Sequence, residues 1–353
     1  MPRLTAIADR TLHGVGVQNI PRFTTPATMN GSATAALMLA VTVNSSGLFV
    51  AVGYATAKAL YATSSNGSTW TTPAQMNGTG VGVMTAVTVN SSGLFVAVGT
   101  NTSSYPLYAT SANGSTWTTP ALMNGSVAVA NIFSVAVNSA GLFVAVGYNG
   151  SNYPVYATSA NGSTWTTPAL MNGSNAVANM KAIAVNSSGL FVAVGFNTSL
   201  YGVYATSTNG STWTTPALMN GISGVFQATS IVVNSAGLFV AVGYNGSNYP
   251  VYATSANGST WTTPALMNGS NAVANMNAVT VNSIGYFAAV GVNSTGAPVF
   301  ATSANGSTWT TPALMNGSST TQTLTGMTTN RAGLFVAVGY TPSTSYPVYS
   351  TST

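Results

Sequence analysis

The sequence predicts an all-β fold: a single seven-bladed β-propeller of four-stranded antiparallel blades, its ring closed by an N-terminal outer strand pairing with the C-terminal strand. Three observations carry this expectation. One unit recurs seven times, each unit contains four short strand signals, and the two ends of the chain complement each other.

Aligned on GLFVAVG, the units place their turn glycine at Gly47, Gly93, Gly141, Gly189, Gly237, Gly285 and Gly333, with a first step of 46 residues and later steps of 48. A period of this length is the mark of a solenoid, a propeller or a repeat array. Within the unit that starts at Met180, MKAIAVN reads as strand A and, after the turn NSSG, LFVAVGF reads as strand B. GVYATS follows as strand C and, after the turn TNG, STWTTPALM as strand D. These are β-branched and aromatic runs bounded by Asn, Ser and Gly. Asn186 and Gly189 bracket the A-to-B turn, since Asn caps its own backbone and Gly accepts positive φ. Strand B is apolar on both faces, so each sheet must be covered on both sides. Sheets that cover one another around a ring form a propeller.

The ends test this reading. Residues 19 to 32, NIPRFTTPATMNGS, match NGSTWTTPALMNGS with Phe23 in place of Trp, a D strand with no C strand before it. The chain finishes on YPVYSTST, a C strand without its D. Residues 22–29 are therefore expected to pair with 346–353, removing exposed sheet edges. The propeller takes residues 21–353 and leaves 1–20 as a separate segment. One D-strand aromatic per blade, namely Phe23, Trp70, Trp117, Trp165, Trp213, Trp261 and Trp309, is expected to wedge between adjacent blades; a ligand-stacking ring is the alternative.

At Ser159, Asn161, Gly162 and Trp165 the C-to-D turn resembles the Asp-box of sialidase-like (BNR) propellers, written S-x-D-G-x-x-W, and FVAVG upstream is similar to the same repeats. The resemblance recurs in register over residues 21 to 353, with Asn in every copy where the family has Asp. It implies the hairpin and the fold, and it implies no activity, because the box in that family is a folding element away from the catalytic centre. The wording SSGLFVAVGYNGSNYPVYATSANGSTW is also similar, more loosely, to repeat proteins of tailed phages.

Composition excludes several functions. Only 2% of the 353 residues are charged, so the net charge of +5 comes from six scattered cations that form no stripe for nucleic acid. Apolar runs such as LFVAV are about five residues where a spanning helix needs roughly 20, so no membrane insertion is expected. The absence of cysteine removes disulfides and thiolate metal sites. Residues 1 to 20 lack a basic region followed by an apolar core and read as no signal peptide. The usual glycosidase route needs two carboxyl groups, and the chain has one, Asp9. His13 is the single histidine, and Arg3, Arg10, Arg22 and Arg331 build no anion-binding cluster. No catalytic residue, metal site or cofactor is expected, and the protein reads as a non-enzyme.

The A-to-B and C-to-D turns are nearly invariant, whereas the B-to-C loops (YNGSNYPV, FNTSLYGV, VNSTGAPV) and the D-to-A loops vary. In an up-and-down sheet these two sets occupy opposite faces. Recognition is carried by loops on a rigid scaffold, so the varied face is the expected binding surface. Its aromatic content is Tyr105, Tyr153, Tyr201, Tyr249 and Tyr346, which with nearby amides suits a neutral glycan; simple covering of the blade edge is the alternative. Residues 1–20, which hold Arg3, Asp9, Arg10 and His13, read as an attachment or oligomerisation segment toward other virion or assembly subunits, or as an arm folded back on the disc. Together these features lead to the expectation of a non-enzymatic structural or decorating protein of a phage or virus particle, placed on the virion or an extracellular surface. A free multivalent lectin and an exported cell-surface or filament subunit are the alternatives.

Overall fold

A computed structural model of the chain describes residues 21–31, 35–78, 82–125, 130–173, 177–219, 225–269, 274–317 and 321–352. Residues 1–20, with Arg3, Asp9, Arg10 and His13, and the central residues of each D-to-A loop lie outside the described residues. The rest forms seven four-stranded antiparallel sheets. In the fourth, strand A spans Asn179–Val185, B Phe191–Phe196, C Gly202–Ser207 and D Ala217–Leu218, hydrogen-bonded in that order. The A-to-B turn is closed by Asn186 Oδ1, which accepts the Leu190 N–H at 2.9 Å, and by Gly189 at φ +86°.

The hydrophobic core lies between blades. Around Trp213, Val144 and Val146 of the third blade meet Met180, Phe191 and Ala193 of the fourth, all excluded from solvent. Strand A of each blade packs against strand A of the next, and Thr323–Thr329 of the seventh packs against Leu37–Val43 of the first, so the ring is complete. Ala27–Thr28 supplies the outer strand of the seventh blade, Ala27 opposite Tyr349 and Thr28 opposite Val348. Farther along, Thr24 N–H donates to Thr351 O at 2.9 Å and Phe23 bridges to Ser352. The seven-bladed fold and its closure are those expected from sequence.

Two strands are less regular than the sequence suggested. The stretch STWTTPALM is not one continuous strand, because only two residues of each internal D strand enter the ladder. In the fourth blade Thr214 N–H donates to Thr206 O, but the Thr206 N–H is taken by Thr214 Oγ1, both at 2.9 Å. A side chain has replaced the carbonyl, and Pro216 has no N–H to offer, so pairing resumes only at Ala217. Strand A carries a register shift in every blade, between Met180 and Ala182 in the fourth. This bulge explains the glycine of VAVG: Gly195 lies opposite Met180, and a Cβ on it would stand 1.9 Å from Asn179 O.

At the seam, between Ser352 and Pro21, the described residues hold no C-to-D hairpin like those of the other blades. Elsewhere the Trp indole donates to the hairpin glycine, as Trp213 Nε1 does to Gly210 O at 3.0 Å, and Tyr156, Tyr204 and Tyr252 each donate to the hairpin of the following blade, as Tyr156 does to Ser211 O. Among the described residues the seam offers neither acceptor, and both side chains there are Phe: Phe23 and Phe300, with centroids 5.2 Å apart. Beside the seam the described residues enclose a cavity of about 540 Å³ lined in part by Pro21, Ile284, Tyr286, Arg331 and Phe335. Ile284, Tyr286 and Arg331 are departures from the common A-to-B turn, gathered around this cavity.

Candidate functional site

The bulges determine what faces the axis. A bulge turns one residue out of the alternation of its strand, and here the seven such residues, Leu39, Thr85, Phe133, Lys181, Thr229, Asn277 and Thr325, line the axial channel. Each lies near the start of strand A, hence toward the face of the B-to-C and D-to-A loops. Four of them tie their blade to the next. Thr85 Oγ1 donates to Ile132 O at 2.7 Å, Thr229 Oγ1 to Met276 O at 2.6 Å, Asn277 Nδ2 to Leu324 O at 2.9 Å and Thr325 Oγ1 to Met38 O at 2.9 Å.

Leu39, Phe133 and Lys181 break this pattern. Leu and Phe have no donor, and Lys181 turns its ammonium onto aromatic rings: Nζ lies 4.2 Å from the Phe133 centroid, 4.7 Å from Tyr148 and 5.5 Å from Phe196. Phe133 and Tyr148 are stacked, 5.1 Å apart and 14° from parallel. Contacts of this kind recover part of the hydration a cation loses on burial. Lys181 and Phe196 join Phe133, Thr85, Thr229 and Tyr244 around a cavity of about 370 Å³, within the usual range of small-ligand sites. Burial lowers the Lys181 pKa and raises those of Tyr148 and Tyr244. The single acidic side chain, Asp9, lies outside the described residues, so no carboxylate side chain among them faces the ammonium.

The tyrosines singled out from sequence occupy a different place. Tyr105, Tyr153, Tyr201 and Tyr249 close the B-to-C turns, their N–H groups donating to Asn101, Asn149, Asn197 and Asn245 Oδ1 at 2.9 to 3.0 Å. Tyr346 O accepts the Thr341 N–H in the equivalent turn. All five are partly exposed on the varied face, outside the residues that line the axial cavity. Phe23, Trp70, Trp117, Trp165, Trp213, Trp261 and Trp309 are 2 to 3% exposed and packed between blades. Arg331 lies at the seam and Arg22 beside Phe23, both away from the residues that line the axis.

The residues that sequence reasoning missed are Lys181, Phe133, Phe196, Tyr148 and Tyr244. Their signal was present. Read in register, the second residue of strand A is apolar in every blade and the fourth is always Ala, Ser or Gly, whereas the third reads Leu, Thr, Phe, Lys, Thr, Asn, Thr around the ring. Without the bulge, nothing said that this position faced the axis. Among the described residues no three His, Cys, Asp or Glu side chains group as metal ligands, and no helix is long and apolar enough to cross a membrane.

No family model matches the chain, and no curated protein matches it in sequence. Solved structures match in fold. The lectin BP39L from Burkholderia pseudomallei is 13% identical with a TM-score of 0.66, covering 87% of this chain and 96% of its own. A catalytically inactive variant of virginiamycin B lyase from Staphylococcus aureus, solved with quinupristin, is 10% identical with a TM-score of 0.66, covering 94% and 99%. YCF48 from Cyanidioschyzon merolae is 13% identical with a TM-score of 0.63, covering 92% and 98%. These neighbours include a lectin and an enzyme, so at such identities they establish the propeller alone. The expectation of a phage or virion component and the Asp-box relationship gain no support from them.

Proposed function

We propose that the protein is a non-catalytic, saccharide-binding propeller whose ligand site is centred on the axial mouth of the varied face, with the B-to-C tyrosines at its rim. The observation that carries this reading is the convergence of Phe133, Phe196 and Tyr244 with the hydroxyls of Thr85 and Thr229 around one cavity of about 370 Å³. Sugars present apolar C–H faces that stack on such rings and hydroxyls that pair with such oxygens. A chain with one carboxyl side chain and one imidazole favours binding over hydrolysis, since the usual glycosidase needs two carboxyl groups. The lectin neighbour agrees in fold.

A glycan array tests the proposal. Binding by the intact protein that is lost in Phe133→Ala, with the melting temperature lowered by only a few degrees, supports an axial site. A blank array, or binding that survives Phe133→Ala and is lost in Tyr153→Ala plus Tyr249→Ala, removes the axial site, the latter in favour of the rim.

A further inference from the structure

The geometry points to a ligand that carries an anionic group, received at the axial mouth by the Lys181 ammonium: an acidic saccharide, bearing a carboxylate or a sulfate, in preference to a neutral one. This inference rests on the saccharide reading above and deepens it.

The fold does not need a cation at position 181. At the equivalent place four blades carry Thr or Asn, each donating to the next blade's backbone, and two carry the apolar Leu39 and Phe133, so the architecture calls for no charge. A lysine here replaces that bond with an ammonium held against rings, at a cost in hydration. The chain has only six Lys and Arg in all, which makes a cation at the axis the more exceptional. No carboxylate side chain among the described residues pairs with it or repels an incoming anion.

The donors and acceptors around the cavity agree. The hydroxyl protons of Thr85 and Thr229 are given to Ile132 and Met276 carbonyls, and that of Tyr244 to Gln227 Oε1 at 3.3 Å. These oxygens retain lone pairs and can accept from a ligand's hydroxyls. Lys181 is left as the strong donor, with three N–H bonds. The complementary molecule therefore has several hydroxyl donors, one anionic acceptor and an apolar face for Phe133 and Phe196.

The test is isothermal titration with paired oligosaccharides, one of each pair containing glucuronate or a sulfated sugar and the other its neutral counterpart, on the full chain and on Lys181→Met. The parent is expected to prefer the acidic member at least tenfold, and Lys181→Met to lose that preference. Lys181→Arg, which keeps the charge, should restore part of it. The preference should fall as pH rises through the Lys181 pKa, which burial holds below the ordinary lysine value; burial pushes Tyr148 and Tyr244, which share its surroundings, the other way. Equal affinity for both members, or a preference that survives in Lys181→Met, overturns the inference and leaves the saccharide reading in place. Absence of binding to every member overturns both.

Discussion

At the scale of single residues, the recurrent stretch SANGSTWTTPALMNGS has a reason for most of its letters. In the third blade Ser159 Oγ accepts the Gly162 N–H at 2.9 Å, and Asn161 Oδ1 accepts from Ser163 and Thr164 at 2.9 and 2.8 Å. Asn does here what a carboxylate would do, without the charge. Gly162 sits at φ +77°, and a Cβ on it would meet Val96 Cγ2 of the second blade at 2.7 Å. Trp165 donates to Gly162 O at 2.9 Å and leans on Tyr108 of the second blade, centroids 6.3 Å apart. After the outer strand, Asn172 takes a left-handed φ of 49° and donates to Thr215 Oγ1 of the fourth blade at 2.6 Å. Trp165→Ala is therefore expected to cost roughly 3 to 5 kcal/mol, as for other buried large aromatics, measured by urea unfolding. Lys181 gives a pH dependence. Its folded pKa lies below the ordinary 10.5, so between the two values the unfolded chain binds more protons and stability must rise with pH. Tyr148, Tyr244 and Tyr340, whose pKa values are raised, act in the opposite sense only as pH passes the usual tyrosine value of 10.0. Lys181→Met should flatten the rise below that pH; an unchanged slope would mean that another group causes it.

At the scale of elements, strands B and C were legible because their pattern is local: GVYATS at Gly202–Ser207 and the apolar run at Phe191–Phe196 stand where the sequence put them. Strands A and D were legible as strands but not in detail. In strand D the Thr hydroxyl that takes the place of a backbone acceptor, and in strand A the extra residue, are choices of pairing that a list of β-formers does not encode. The candidate site followed the same division. The face was readable from loop variation, whereas the axial group depended on the bulge, and a shift of one residue changes which side chain points inward. The glycine opposite the bulge offers a direct check. Gly195→Ala would press a methyl into Asn179 O, and the expected loss is about 3 kcal/mol or more, the upper end of overpacking costs, with altered Lys181 ring contacts seen by NMR. An alanine variant as stable as the parent would mean that the bulge can relax.

At the scale of the whole molecule, the ring depends on one seam. Removing residues 347–353 takes away Pro347–Thr351 and leaves Ala27–Thr28 and the strand Phe335–Tyr340 with open edges. Unpaired edges recruit other chains, so this truncation is expected to form larger species than the parent does at the same concentration, measured by light scattering. A monomeric truncation with an unchanged melting temperature would show that inter-blade packing alone holds the wheel shut.

The same seam imposes an order on synthesis. Six blades have all their strands before Pro347–Thr351 leaves the ribosome, but the outermost ribbon of the seventh, made ahead of them, waits through more than three hundred residues for Tyr349 and Val348. Two nascent chains close together could each clasp the other's tail in that interval, so the yield of correctly shut rings should decline as translation on one message becomes more crowded.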